Sequence, residues 1–108
     1  MKIVLRKSDA KEPFTFVFLD DEGKTLIKSE NYTQKASAKN GIESVRKNCL
    51  EDKRYEFKEA KSGKLFFNIK STNGQVVGTS GFFDDKAKQD KAVAYLKANA
   101  KKAKIEEA

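Results

Sequence analysis

A chain of 108 residues, 38% hydrophobic and 36% charged, can bury one modest apolar core under a densely solvated surface. With no histidine and a single cysteine it lacks the commonest general base, the commonest metal ligand and any intrachain disulfide. No apolar run approaches the ~20 residues of a membrane helix, and the net charge of +7, carried mostly by lysine, permits weak attraction to anionic partners without naming one.

Ile3 to Lys7 opens as a short strand, with Ile3 and Leu5 on one face. A polar loop from Ser8 to Pro13 follows, and Pro13 ends any pairing because it has no amide hydrogen. Phe14 to Leu19 carries the strongest strand signal: Phe14, Phe16 and Phe18 alternate onto one face, while Val17 and Leu19 make the other face apolar too. Asp20 to Gly23 turns the chain, Gly23 supplying the positive φ, and Thr25 to Ser29 returns. The period then lengthens. Ala38, Ile42, Val45 and Cys49 recur at helical spacing, Thr33 is placed to cap the N-terminus, and Arg46 and Lys47 suit the last turn. Gly41 inside this helix costs ~1 kcal/mol against alanine, which predicts close approach of helix to sheet.

Tyr55 to Lys58 starts a second round, with Tyr55 and Phe57 expected inward. Ser62-Gly63 turns, Leu65, Phe67 and Ile69 alternate, and Asn73-Gly74 predicts a type I′ hairpin before Gln75 to Ser80 returns. Asp84 is expected to cap a second helix with the stripe Gln89, Val93, Leu96 and Ala100, and Ala103 to Ala108 reads as a polar tail that frays.

The two rounds are copies. At an offset of 51, Phe16 meets Phe67, Gly23 meets Gly74, Ser29 meets Ser80, Lys35-Ala36 meets Lys86-Ala87 and Asn48 meets Asn99. Half a chain of this size buries too little surface to stand alone. The expected architecture is therefore α+β: two tandem β-β-β-α repeats, about residues 1–51 and 52–103, forming a single compact domain over 1–108 with a short polar C-terminal tail. Two helices pack on antiparallel sheet with pseudo-two-fold symmetry. One continuous sheet and two facing sheets both satisfy the pattern.

The stretches Ser29-Glu30-Asn31-Tyr32-Thr33-Gln34-Lys35-Ala36, Asn40-Gly41-Ile42-Glu43-Ser44-Val45-Arg46-Lys47-Asn48 and Gly63-Lys64-Leu65-Phe66-Phe67-Asn68-Ile69 through Asn73-Gly74-Gln75-Val76-Val77-Gly78-Thr79-Ser80 resemble the YegP-like family of bacterial proteins, a domain of unknown function. The resemblance covers nearly the whole chain and implies the duplicated β-β-β-α fold. It implies no activity. The sequence departs from the family pattern where the second helix reads Ala92-Val93-Ala94-Tyr95-Leu96 and where Phe83 stands for the usual tyrosine.

No catalytic, cofactor-binding or metal-binding residues are assigned. Cys49 lies on an apolar stripe and reads as a buried small hydrophobe. Asp20-Asp21-Glu22 falls in a turn and Asp84-Asp85 at a helix start, where carboxylates have structural uses. Lys35 and Lys86 occupy first helical turns, against the dipole; an anion held there is one reading, a lysine stem lying over Tyr32 or Phe83 is the plainer one. Ser29 and Ser80 suit turn hydrogen bonds, and Asn48 and Asn99 suit C-terminal capping.

The absence of a long apolar leader after Met1-Lys2-Ile3-Val4-Leu5, together with one cysteine, sets the expectation of a cytoplasmic protein without cofactor or membrane partner. The leading expectation for function is a non-catalytic binding or interaction module, its partner another protein or a second copy. The alternative is a weak, sequence-tolerant nucleic-acid binder using Lys35, Lys39, Arg46, Lys47 and Lys86. A small-molecule or catalytic role at the seam between the repeats is a third possibility.

Overall fold

The computed structural model describes residues 1–108. Its strands are β1 (Lys2–Lys7), β2 (Phe14–Leu19), β3 (Thr25–Lys28), β4 (Tyr55–Glu59), β5 (Leu65–Lys70), β6 (Val76–Ser80) and β7 (Lys104–Glu107). Helices α1 (Lys35–Asn48) and α2 (Lys86–Asn99) follow β3 and β6, and a single 3-10 turn, Asp52–Arg54, precedes β4. The α+β repeat expected from the sequence is present. The two units share one sheet of order β4-β5-β6-β3-β2-β1-β7, joined where Ile27 pairs with Ser80 and Lys28 with Thr79.

Strands β1 and β5 alternate in burial because one face of the sheet is covered. Ile3, Leu5, Phe16, Phe18, Ile27, Phe67 and Ile69 meet Ala38, Ile42, Val45 and Leu96 of the helices in one apolar core. Both hairpins slip register at the same place, between Phe18 and Leu19 and between Ile69 and Lys70. The extra residues, Leu26 and Val77, pack with the core.

Serine closes each unit in the same way. The Ser29 hydroxyl accepts the Phe16 amide at 2.8 Å and donates to the Glu30 carbonyl at 2.7 Å. Ser80 does the same with the Phe67 amide at 2.9 Å and the Gly81 carbonyl at 2.8 Å. The hydroxyl replaces a backbone partner in the ladder, so the chain can leave the sheet towards the helix without stranding a buried amide.

Five expectations need correction. The segment after Ala103 does not fray: β7 pairs in parallel with β1, Lys2 opposite Lys104 through Leu5 opposite Glu107, which makes the sheet mixed. Gln34, not Thr33, is the N-cap of α1, and it caps without a side-chain bond. Asp85, not Asp84, caps α2, accepting the Lys88 amide at 2.8 Å. The Asn73-Gly74 hairpin is not type I′, because no residue other than glycine has positive φ. It is a type I turn closed by Gly74 (φ 84°), the arrangement also found at Asp20–Lys24 and Ala60–Lys64. Phe57 shares the face of Tyr55 and stacks on it, but on edge strand β4 it stays 50% exposed.

Gly41 does mark close approach. A Cβ there would lie 2.5 Å from the Tyr32 hydroxyl and 2.9 Å from the Phe16 ring. The second repeat makes the opposite choice at both matched positions, Phe83 for Tyr32 and Ala92 for Gly41. A hydroxyl has been exchanged for a methyl in one tight space.

Two predictions follow from these contacts. Gly41→Ala destabilises the protein by about 1–2 kcal/mol, overpacking outweighing the helix-propensity gain; in a Tyr32→Phe background the same change is neutral or stabilising. Urea melts of the four proteins of this cycle measure the coupling, and additive effects would show that the two positions do not compete for space. Ser29→Ala leaves the buried Phe16 amide unpaired and costs about 1–3 kcal/mol, whereas alanine at the exposed Ser8 costs little.

Candidate functional site

Both helices lie on the face bearing Phe16, Phe18, Phe67 and Ile69, and no element covers the opposite face. Register places one row straight across that bare face: Glu56, Asn68, Thr79, Lys28, Val17, Val4 and Glu106, one residue from each strand. Its second-repeat half is a polar network. Thr79 donates to Asn68 at 2.7 Å, Asn68 donates to Glu56 at 3.0 Å, and Lys70 reaches Glu56 at 2.8 Å. Its first-repeat half is apolar apart from Lys28, with Val17 buried between its neighbours. Glu56 is held down to about 2, chiefly by the bond from Lys70 and then by that from Asn68.

Phe66 stands on the same face, opposite Lys58. Against it, ring centroids 5.7 Å apart and edge to face, packs Phe82, the most exposed large apolar residue at 65%. Phe82 also lines a groove of about 580 Å³ formed by the Asp20–Lys24 turn, the loop Gly81–Asp84 and the α2 residues Lys88, Lys91, Ala92 and Tyr95. The groove therefore draws walls from both repeats. Phe82 occupies the corner where it meets the bare sheet.

The charges in the groove are largely spoken for. The N-terminal ammonium bonds Asp21 at 2.7 Å and, ahead of Tyr95, lowers its carboxyl below the usual range. Asp84 is lowered by Lys88 first and then by Lys64. The Asp20 carboxylate accepts the amides of Glu22 and Lys24, each at 2.9 Å, inside its own turn. The Tyr95 hydroxyl is shut off from solvent and faces Asp21 without a bond of normal geometry; desolvation, then Asp21, raises it. No three His, Cys, Asp or Glu side chains are gathered to hold an ion. Cys49 is fully buried and its thiol is pushed up to about 11 by that burial.

The five cations singled out in the sequence do not form one site. Lys35 opens α1 and pairs with Glu107 of β7. Arg46 pairs with Glu43 at 2.7 Å and donates to the Ala103 carbonyl. Lys86 pairs with Asp90 at 2.9 Å and lies 4.8 Å over the Phe57 ring, neither Tyr32 nor Phe83 beneath it. Lys39 and Lys47 are exposed on α1. Asn48 and Asn99 each donate back to the carbonyl four residues earlier, both at 2.8 Å, as C-terminal residues do. Sequence reasoning missed Phe82 and the cross-sheet row. The doublet Phe82-Phe83 just past a strand was the available signal, since neighbouring residues there must point opposite ways.

A protein family described as a domain of unknown function, DUF1508, matches this chain twice, over residues 9–56 and 60–107. The UPF0339 protein YegP of Escherichia coli O157:H7 is 42% identical over 94 residues, 87% of this chain and 84% of that protein. A UPF0339 protein of Acinetobacter baylyi is 42% identical over 101 residues, 93% and 91% of the two chains. The solution NMR structure of a UPF0339 protein from Shewanella oneidensis, 36% identical, superposes with a TM-score of 0.89 over 98% of this chain and 89% of that one.

The depressed Glu56 carboxyl gives a pH prediction. Its charge stabilises the folded protein above the ordinary glutamate range near ~4.3, and that contribution is lost as pH falls towards about 2. Acid titration followed by circular dichroism should show Glu56→Gln flattening the stability profile between those limits and, above pH ~6, where the wild-type contribution is fully present, lying below the wild type by a constant amount.

Proposed function

This chain belongs to the DUF1508 family, in two tandem copies, and from that premise we propose that it is a small non-catalytic binding module of the cytoplasm whose contact surface is the bare sheet face and its Phe66–Phe82 corner. The exposure of Phe82 carries the reading. An aromatic ring left 65% open beside a second aromatic, on the one uncovered face of the sheet, has no role in the core. Exposed apolar groups gathered beside polar ones are what contact sites are made of.

The chemistry of the chain favours binding over catalysis. Its one thiol is buried with a raised pKa, histidine is absent, and the groove carboxylates Asp21 and Asp84 are held ionised by cations. A general acid or base needs a group poised near neutral pH within reach of a substrate, and these groups lie far from it.

The test is an amide-shift titration against small aromatic and anionic compounds. Shifts should gather on Phe66, Phe82 and the adjoining parts of β5 and β6. Phe82→Ala should abolish them while moving the melting temperature by no more than about 2 °C, as exposed substitutions do. Shifts confined to the outward faces of α1 and α2, or chemical turnover of a bound compound, would defeat the proposal.

A further inference from the structure

We infer that the bare sheet face binds single-stranded nucleic acid, a reading that rests on the binding-module proposal and names its partner. The strands aim Lys2, Arg6, Lys28, Lys58, Lys70 and Lys104 at this face by alternation from buried neighbours and by register. Only Glu56 and Glu106 oppose them there. Lys58 and Lys70 both lean on Glu56, at 3.8 and 2.8 Å, and Lys2 on Glu106 at 3.4 Å. Arg6, Lys28 and Lys104 carry no ion pair. Lys28 sits in the central row, next to the seam between the repeats.

This charge decides among occupants. A second copy laid face to face would bring like charges together, which costs rather than contributes. An anionic chain is drawn to the face and releases counterions as it binds. The aromatic corner then separates a nucleic acid from a merely acidic chain. Phe82 touches Phe66 with its edge geometry and leaves most of its ring to solvent, and an unpaired base can stack on it, as a base locked in a duplex cannot. Lysines dominate and a single arginine is present on the face. Backbone tracking with little sequence preference follows, since arginine is the fork that reads base edges.

Fluorescence anisotropy with labelled single strands of about twelve nucleotides, DNA and RNA, and the matching duplex tests this at about 25 and 200 mM salt. Single strands should bind more tightly than duplex, and affinity should fall at least tenfold between the two salts. Phe82→Ala should weaken binding about fivefold or more at both salts. Lys28→Glu should weaken it and flatten the salt dependence, with Lys47→Glu on the helix side unchanged, and circular dichroism should show all three variants folded. Absence of single-strand binding at the lower salt, or affinity indifferent to both Phe82→Ala and Lys28→Glu, overturns the inference. Equal competition by polyglutamate also overturns it, in favour of an acidic protein partner. Should oligonucleotides fail while small aromatic compounds still shift Phe66 and Phe82, the binding-module reading stands and its nucleic-acid partner falls; if nothing reaches that face, both fall.

Discussion

The pairing of β3 with β6 is the constraint on which the molecule depends. Two repeats, each too small to bury a core alone, become one sheet through the pairs Ile27–Ser80 and Lys28–Thr79. Gly78 makes the seam close. A Cβ there would fall 2.5 Å from the Ile27 side chain and 3.5 Å from that of Val45, so its bare backbone admits a residue from each layer of the first repeat into the second. Because the repeats meet edge to edge and not face to face, both helices land on one side. The other side is left uncovered by the same act that completes the core.

The copies then diverge where the core is tightest and where the surface is free. In the core the change is compensated: Tyr32 with Gly41 in one repeat, Phe83 with Ala92 in the other. On the bare face it is uncompensated. Val17 of the first repeat corresponds to Asn68 of the second, and Lys28 to Thr79, so one half of the cross-sheet row is apolar and cationic while the other is a closed hydrogen-bond network. Packing keeps the two halves of a core in step; a solvated face imposes no such tie. The bare face accordingly differs between the two repeats more freely than the packed face does.

How far the sequence was legible follows from burial. Strands β2 and β5 and helix α1 declare themselves because Phe16, Phe18, Phe67, Ile69, Ile42 and Val45 are all buried and their spacing records it. Strand β7 leaves no such record: all four residues, Lys104 to Glu107, are exposed, and it is held by backbone pairing to β1 and by the surface ion pairs Lys2–Glu106 and Lys35–Glu107. The α2 cap was misplaced by one residue because Asp84 and Asp85 are both good caps, and the choice between them is made by where Phe83 must pair with Leu65. The turn at Asn73-Gly74 was misread for a similar reason. The dipeptide fits type I′ locally, but the register slip at Ile69 and Lys70 fixes a turn in which only glycine needs positive φ. Phe82 could not be seen as exposed, since a doublet shows that one ring faces out without saying which.

The matched lysines at the two helix starts sharpen the functional argument. A cation at a helix N-terminus opposes the dipole, and an anion placed there resolves the conflict. In α1 that anion is the chain's own Glu107, delivered by β7 and held ionised by Lys35 before any other group. In α2 the same need is met by the Asp85 cap and by Asp84, which binds Lys88 and Lys64. The two helix starts thus answer their charges internally. Arg6, Lys28 and Lys104 have no such partners and share the uncovered face with Phe66. Charge left unpaired next to aromatic surface left unburied puts the recognition chemistry on the sheet. The helix termini, where the sequence first suggested it, are occupied by the protein itself.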